Sequence, residues 1–172
     1  MLKPSLTWFG LILTIGLYTS PQLTLAAEPS GVVPNSPQDL VTQPKRLEIS
    51  LSRRKVTLYE GNTPIKSYPV AVGRKGWETP TGSFQVIQMV KNPTWIHPFT
   101  DKGIPGGDPE NPLGRYWIGF WTNGKDWVGL HGTPNPESVG KAVSHGCIRM
   151  YNKDVEELFH QVGVGTPVTV VP

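Results

Sequence analysis

Apolar and polar residues alternate in short runs that begin near residue 46. Leu47, Ile49 and Leu51 are spaced two apart, and Val56 and Leu58 repeat the pattern. Successive side chains of a β-strand point to opposite faces, so this alternation is typical of strands with one buried side. The chain from residue 46 onward is therefore predicted to consist mainly of strands.

Turn signals separate these runs. Glu60-Gly61-Asn62 predicts a hairpin, and Thr79-Pro80-Thr81-Gly82 predicts a second turn in which proline presets φ. Asn123-Gly124 is a strong hairpin signal that joins two aromatic-rich strands, Tyr116–Thr122 and Asp126–Thr133. Further strands are predicted within 65–72 and over Ser83–Val90 and Thr166–Val171.

A single convincing helix is predicted near the C-terminus. Its apolar residues have the spacing i, i+3, i+4, i+7: Val155, Leu158, Phe159 and Val162. Asn152 is the expected N-cap, and Gly163 is expected to end the helix. Many strands with one helix favour a mainly β fold, a β-sandwich or barrel-like sheet with one clear C-terminal helix.

The N-terminal residues resemble an export signal. Lys3 precedes an apolar run from Leu6 to Tyr18, and small residues suited to cleavage follow at Ala26 and Ala27. An uncleaved membrane anchor is the alternative. We predict a signal peptide over residues 1–27, a proline-rich linker over 28–45 and one folded domain over 46–172, with export to the periplasm or cell wall.

The charge of the chain argues against a nucleic-acid partner. Sixteen basic residues against 13 acidic ones give a formal net charge of +3. The one basic run, Arg53-Arg54-Lys55, is short and has no interleaved aromatic residues, unlike a nucleic-acid-binding surface. A mild positive excess suits an anionic substrate.

Cys147 is the only cysteine, and His131 precedes it by 16 residues. A thiolate is a strong nucleophile, and histidine is the side chain best suited to take the thiol proton near neutral pH. An exported chain with one cysteine cannot form an internal disulfide, so a retained thiol favours a catalytic use. The alternative is a small buried apolar side chain without chemistry.

The residues around this pair extend the pattern. His131-Gly132-Thr133, a gap and then Ser144-His145-Gly146-Cys147-Ile148-Arg149-Met150 together resemble the catalytic signature of the YkuD-type L,D-transpeptidases. Thr79-Pro80-Thr81-Gly82 and Asn111-Pro112-Leu113-Gly114 resemble two upstream segments of that family. The resemblance extends roughly from Arg46 to Val171 and implies the same mainly β fold.

The resemblance also implies an activity. The family cleaves before the terminal D-alanine of a peptidoglycan tetrapeptide stem, holds the acyl group as a thioester, and transfers it to a second stem amine (a 3-3 cross-link), a protein amine or water. We expect no cofactor and no metal, carbapenem-type β-lactams as inhibitors, and a monomer. The expected catalytic residues are Cys147 as nucleophile, His131 as base, Gly132 through its carbonyl, and Gly146 with Cys147 through oxyanion-binding N–H groups.

Substrate contacts are expected from Ser144, His145 and Arg149, with loop bracing as the alternative for Arg149. We also expect the segment Asn92–Gly114, rich in proline and glycine, to form a flap beside the site. Two rival functions remain open: a zinc site built from His and Cys ligands, namely His131, His145 and Cys147, and a wall-binding module without catalysis.

Overall fold

The computed structural model describes residues 43–97 and 100–172. The predicted export signal and nearly all of the predicted linker lie outside the described residues. Within the described part of the chain, the strands are β1 (Lys45–Ser50), β2 (Lys55–Glu60), β3 (Thr63–Pro69), β4 (Val72–Gly73), β5 (Gly82–Gln85), β6 (Gln88–Lys91), β7 (Trp95–Ile96), β8 (Gly103–Ile104), β9 (Tyr116–Thr122), β10 (Trp127–His131), β11 (Ala142–Ser144), β12 (Ile148–Arg149) and β13 (Pro167–Val171). A 3-10 turn covers Pro136–Ser138, and one α-helix, α1, covers Asn152–Phe159.

Two sheets form the body of the domain. A five-stranded sheet has the order β3-β2-β1-β13-β5, and a four-stranded sheet has the order β12-β10-β9-β6. Most neighbours are antiparallel, but β1 pairs with β13 and β10 pairs with β12 in parallel. Two small ladders, β11 with β4 and β7 with β8, complete the pairing. The mainly β prediction is confirmed.

The two sheets and the helix enclose one apolar core. Leu47 and Ile49 from the first sheet, Ile118 and Leu130 from the second and Leu158 from α1 are all fully buried within it. The alternation in β1 has the predicted cause, because Leu47 and Ile49 face the core and intervening Glu48 does not. Among the described residues, no helix has the length and apolar character needed to span a membrane.

The predicted strand Ser83–Val90 is wrong as a single element. The chain forms β5 in one sheet, crosses at Val86 and Ile87, and continues as β6 in the other sheet. At the crossing, the Val86 N–H donates to Thr166, the residue before β13, and the Ile87 N–H donates to Gly119 in β9. The chain thus passes from the edge of one sheet to the other. Sequence propensity did not reveal this corner, because the residues on both sides of Val86 and Ile87 are strand-like.

The predicted helix boundaries are also wrong. Helix α1 ends at Phe159, with His160 as its C-cap, and Gly163 lies beyond it. Asn152 is the first helical residue after the N-cap Tyr151, and its side chain makes no capping bond. The hairpin at Asn123-Gly124 is confirmed, although its loop spans the four residues between β9 and β10.

Candidate active site

Parallel pairing of β10 with β12 places the Cys147 segment beside the strand that ends at His131. Leu130 pairs with Ile148 and His131 pairs with Arg149. Because β12 begins at Ile148, it leaves the earlier part of β10 uncovered, and Cys147 lies against that uncovered edge. The Cys147 thiol donates to the carbonyl oxygen of Trp127 at 3.6 Å.

The Cys147 thiol is partly buried against β10. Burial raises the pKa of Cys147, while a hydrogen bond from the Gly129 N–H and the positive charge of Arg149 act in the opposite direction. A side chain on Gly129 would approach the Ile118 carbonyl oxygen at 2.6 Å, so glycine is required where β10 pairs with β9. Because burial has the largest effect on the pKa of Cys147, the thiol is protonated in the resting site at neutral pH.

His131 is buried at the end of β10, with its Nδ1 atom 2.6 Å from the carbonyl oxygen of Gly132. A carbonyl can only accept, so Nδ1 holds the ring proton and Nε2 is the basic atom. Burial lowers the pKa of His131 to about 4, despite opposing hydrogen bonds to the carbonyls of Gly132 and Pro112. The Gly132 contact is the one that the resemblance implies, and its catalytic role stays a prediction.

Trp117 forms one wall of the His131 site. The indole and imidazole rings are stacked at 25° with centroids 6.0 Å apart. The indole Nε1 donates to Gln88 at 3.0 Å, which fixes the ring. The strand pattern predicted Trp117 as sheet packing, and it is buried in β9, but sequence spacing did not indicate its contact with His131.

Asn152 holds the chain that follows His131. Its Oδ1 accepts from the Thr133 N–H at 2.9 Å, and its Nδ2 donates to the Thr133 carbonyl at 3.1 Å. A side chain on Gly132 would collide with the Asn152 amide, so the glycine is needed for this approach. The residue predicted as a helix cap instead clamps the loop that supplies the orienting carbonyl.

The predicted flap, Asn92–Gly114, contains the β7–β8 hairpin. Asn111 is buried and its amide donates to the carbonyls of Pro93, Ile104 and Pro105, which ties the two ends of the segment together. The segment reaches the site at Pro112, whose carbonyl faces the His131 ring. Its function as a flap stays a prediction.

Ser144 organises the loop that presents Cys147. Its buried hydroxyl donates to the Cys147 carbonyl at 2.5 Å and accepts from the Gly146 N–H at 3.2 Å. The Ser144 hydroxyl and the Gly146 N–H are thus engaged with each other within the loop. Substrate binding by Ser144 and oxyanion binding by Gly146 stay predictions. The Cys147 N–H has no acceptor within residues 43–97 and 100–172.

Thr79 braces the same loop from the side of β4. Its hydroxyl accepts from the Gly73 N–H at 3.1 Å and donates to the Gly146 carbonyl at 2.8 Å. The side chain is 3% exposed. The sequence indicated only turn geometry for Thr79-Pro80-Thr81-Gly82, whereas the first residue of this segment belongs to the site.

Two arginines surround His145. Arg74 Nη2 lies 2.8 Å from His145 Nε2, and burial together with the charges of Arg74 and Arg149 lowers the pKa of His145. Trp77 is 53% exposed and contacts the His145 ring edge to face, with centroids 4.8 Å apart. In the part of the chain that the structure describes, the ion pairs involve neither Arg74 nor Arg149. The surface beside Cys147 is therefore positive and partly aromatic.

The three side chains proposed as zinc ligands are each engaged in other contacts. His131 Nδ1 bonds to Gly132, His145 Nε2 bonds to Arg74, and the Cys147 thiol bonds to Trp127. Over the described ranges, no three His, Cys, Asp or Glu side chains are grouped so that they could hold a metal ion.

Comparison with known sequences identifies related proteins. A family model described as the L,D-transpeptidase catalytic domain, YkuD, matches residues 44–170. A Bacillus subtilis (strain 168) protein named as an L,D-transpeptidase, YkuD, is 42% identical over 149 residues, which cover 87% of this chain and 79% of that protein. An Escherichia coli K12 protein named as an L,D-transpeptidase, YbiS, is 31% identical over 158 residues, which cover 82% of this chain and 50% of that protein.

Solved structures have the same fold. An L,D-transpeptidase from Mycobacterium tuberculosis H37Rv gives a TM-score of 0.60 at 21% identity, over 74% of this chain and 57% of its own. An L,D-transpeptidase in complex with imipenem gives 0.58 at 22% identity, over 74% of this chain and 58% of its own. A structure described as the Ldtfm–avibactam carbamoyl enzyme gives 0.61 at 27% identity, over 76% of this chain and 49% of its own.

Proposed function

Because the chain belongs to the YkuD family of L,D-transpeptidase catalytic domains, we propose that it is an exported cysteine acyltransferase acting on peptidoglycan stem peptides. The observation that carries this proposal is the position of the lone thiol. Cys147 lies at the open edge of β10, the strand that ends with His131 in a single tautomer set by Gly132.

Acylation begins from neutral partners. The Cys147 thiol and the His131 imidazole are both uncharged at neutral pH, since burial raises the pKa of the thiol and lowers that of the ring. As the sulfur attacks the carbonyl carbon before the terminal D-alanine, its proton moves to His131 Nε2. The carbonyls of Gly132 and Pro112 stabilise the imidazolium so formed.

Collapse of the tetrahedral intermediate completes the first half-reaction. The carbon–nitrogen bond breaks, His131 returns its proton to the leaving amine of D-alanine, and a thioester to Cys147 remains. An incoming stem amine, protein amine or water then attacks this thioester, and its proton passes through His131 to the departing sulfur. Transfer to water would constitute an L,D-carboxypeptidase side activity.

The positive surface beside Cys147 suits the carboxylates of a stem peptide. Arg74 and Arg149 supply guanidinium groups without a carboxylate partner among the described residues, and His145 holds Arg74 in place. Arginine is well suited to bind carboxylates through paired hydrogen bonds. We assign substrate binding to these groups and loop bracing to buried Ser144.

Two further proposals extend the predicted biology. A solved structure of related fold contains imipenem, which supports carbapenem-type compounds as inhibitors. The Cys147 thiol would attack the carbonyl of the strained β-lactam ring and become acylated. We also propose export to the periplasm or cell wall, which the apolar run Leu6–Tyr18 and the small residues after it support. A monomer remains our expectation.

Mass spectrometry tests the proposal directly. Wild-type protein incubated with a disaccharide-tetrapeptide should release D-alanine and form cross-linked or hydrolysed product, and incubation with a carbapenem should add the mass of one inhibitor. Cys147→Ala should lose both reactions while its circular dichroism spectrum stays unchanged. Product formation by Cys147→Ala near the wild-type rate would refute the assignment of the nucleophile.

A further inference from the structure

The peptide unit between Gly146 and Cys147 is held at one end and open at the other. Its carbonyl oxygen accepts from the Thr79 hydroxyl at 2.8 Å. Its N–H, which belongs to Cys147, has no acceptor in the described residues. A trans peptide is planar and directs its carbonyl and N–H to opposite sides. The bond from Thr79 therefore determines the direction in which the Cys147 N–H points.

Gly146, the residue before the nucleophile, does little by itself to fix the direction of the Cys147 N–H. Gly146 has φ of +109°, a conformation that other residues rarely adopt, and glycine also permits rotation of the adjoining peptide. The neighbouring groups are already engaged, since Ser144 accepts from the Gly146 N–H and donates to the Cys147 carbonyl. Of the polar backbone groups across Gly146 and Cys147, the Cys147 N–H alone remains to meet a substrate.

Thr79 is itself rigidly placed. It is buried, 67 residues from Gly146 in sequence, and its hydroxyl accepts from the Gly73 N–H at 3.1 Å. The Gly73 amide, the Thr79 hydroxyl and the Gly146–Cys147 peptide thus form a chain of hydrogen bonds in one direction. Such chains polarise their members, so the terminal Cys147 N–H becomes a better donor.

We propose that Thr79 is a positioning residue for acyl transfer, whose hydroxyl turns the Gly146–Cys147 peptide so that the Cys147 N–H binds the oxyanion. The inference rests on the proposed function, because an oxyanion arises only when Cys147 attacks a carbonyl. Thr79 touches no reacting atom and acts through the peptide that it holds.

Two reactions of the same thiol separate this role from general support of Cys147. Acylation by a carbapenem or a stem peptide forms an oxyanion, whereas alkylation by iodoacetamide displaces iodide and forms none. Removing one oxyanion donor costs enzymes about 10²–10³ in rate, so a misdirected donor should cost at least about tenfold. Thr79→Val should therefore slow acylation by that factor and leave alkylation within about twofold, with the loss in kcat and not in KM.

Matched variants complete the experiment on the full chain. Thr79→Ser retains the hydroxyl and should acylate within about threefold of wild type, and Thr81→Val, an exposed threonine of the same segment, should change neither reaction. If Thr79→Val does not fold, Thr79→Ala removes the hydroxyl without adding a methyl group in its place and should show the same selective loss.

Four outcomes would overturn the inference. Equal loss of acylation and alkylation would show that Thr79 supports the thiol itself. Unchanged acylation in Thr79→Val, or failure of Thr79→Ser to restore it, would show that the hydroxyl does not direct the N–H. Wild-type protein that is alkylated but never acylated would refute the proposed function, and the inference with it, and is recognised before any variant is compared.

Discussion

Mild acid should destabilise this fold through one buried histidine. Burial lowers the pKa of His131 from 6.5 to about 4, while in the unfolded chain the ring regains its ordinary pKa. Between these two values the unfolded state binds a proton that the folded state does not. The contribution of His131 to the free energy of unfolding is therefore complete above pH 6.5 and is lost as the pH falls from 6.5 to about 4.

The size of the effect follows from the two pKa values. A displacement from 6.5 to about 4 corresponds to about 3 kcal/mol over the whole window, at 1.36 kcal/mol per unit. Lowering the pH from 7.5 to 5.0 should remove about 2 kcal/mol of that amount. Glu78 and Glu157 also have lowered pKa values, but their contributions are lost only below about pH 4.5, so pH 5.0 leaves His131 dominant.

Urea unfolding followed by tryptophan fluorescence measures this loss at a series of pH values. Wild-type protein should show the full slope between pH 7.5 and 5.0. His131→Asn, whose amide can still donate to the Gly132 carbonyl, should lose most of the slope whatever its absolute stability. His145→Gln is the control, because the pKa of His145 is also lowered but its ring is exposed, so its contribution is small.

Parallel stability curves for wild type and His131→Asn would refute the reasoning. They would mean that His131 keeps an ordinary pKa in the folded protein, and hence that water or an acid reaches its ring. If the pH dependence of stability disappeared in His145→Gln instead, the titrating group would be His145 and the assignment to His131 would be wrong.

Three amide variants should each change the acylation rate by less than about tenfold: Asp126→Asn, Glu137→Gln and Asp154→Asn. The reason is that the Gly132 carbonyl already holds Nδ1 of His131. Loss of an orienting carboxylate would cost about 10⁴, so a loss of that size in one variant without unfolding would identify that acid as the orienting group. Arg74→Gln should raise the KM for a stem peptide roughly fivefold to tenfold with little change in kcat, because a charge-assisted hydrogen bond is lost at an exposed site. Arg53→Gln, on the turn after β1, is the control, and equal effects of both arginine variants would rule out a specific contact.

The sequence predicted those parts of the molecule whose causes are local. Alternation in β1 follows from burial of one face, and the hairpin at Glu60-Gly61-Asn62 follows from turn chemistry. The motif around Cys147 and the preceding His131 also lie on or beside neighbouring strands, since β12 pairs with β10.

Features with distant partners could not be predicted in this way. Asn152 resembles a helix N-cap because its neighbours are helical, yet its amide bonds to Thr133, 19 residues away in sequence. Thr79 resembles a turn residue, and its partner Gly146 lies 67 residues away. Polar side chains that satisfy backbone groups across such separations leave no periodic signal, so only the folded chain reveals them.

The low pKa of His131 is consistent with a carbonyl, and not a carboxylate, as the group that orients its ring. A carboxylate against the ring would favour the imidazolium and raise the pKa, whereas a carbonyl carries only a partial charge and leaves burial dominant. Among the described residues it is the Gly132 carbonyl that bonds to Nδ1. His131 is consequently neutral and able to accept a proton, and Cys147, whose pKa burial raises, retains its own. The proton is therefore expected to move only as a carbonyl substrate arrives, which would protect the Cys147 thiol from reaction while the site is empty.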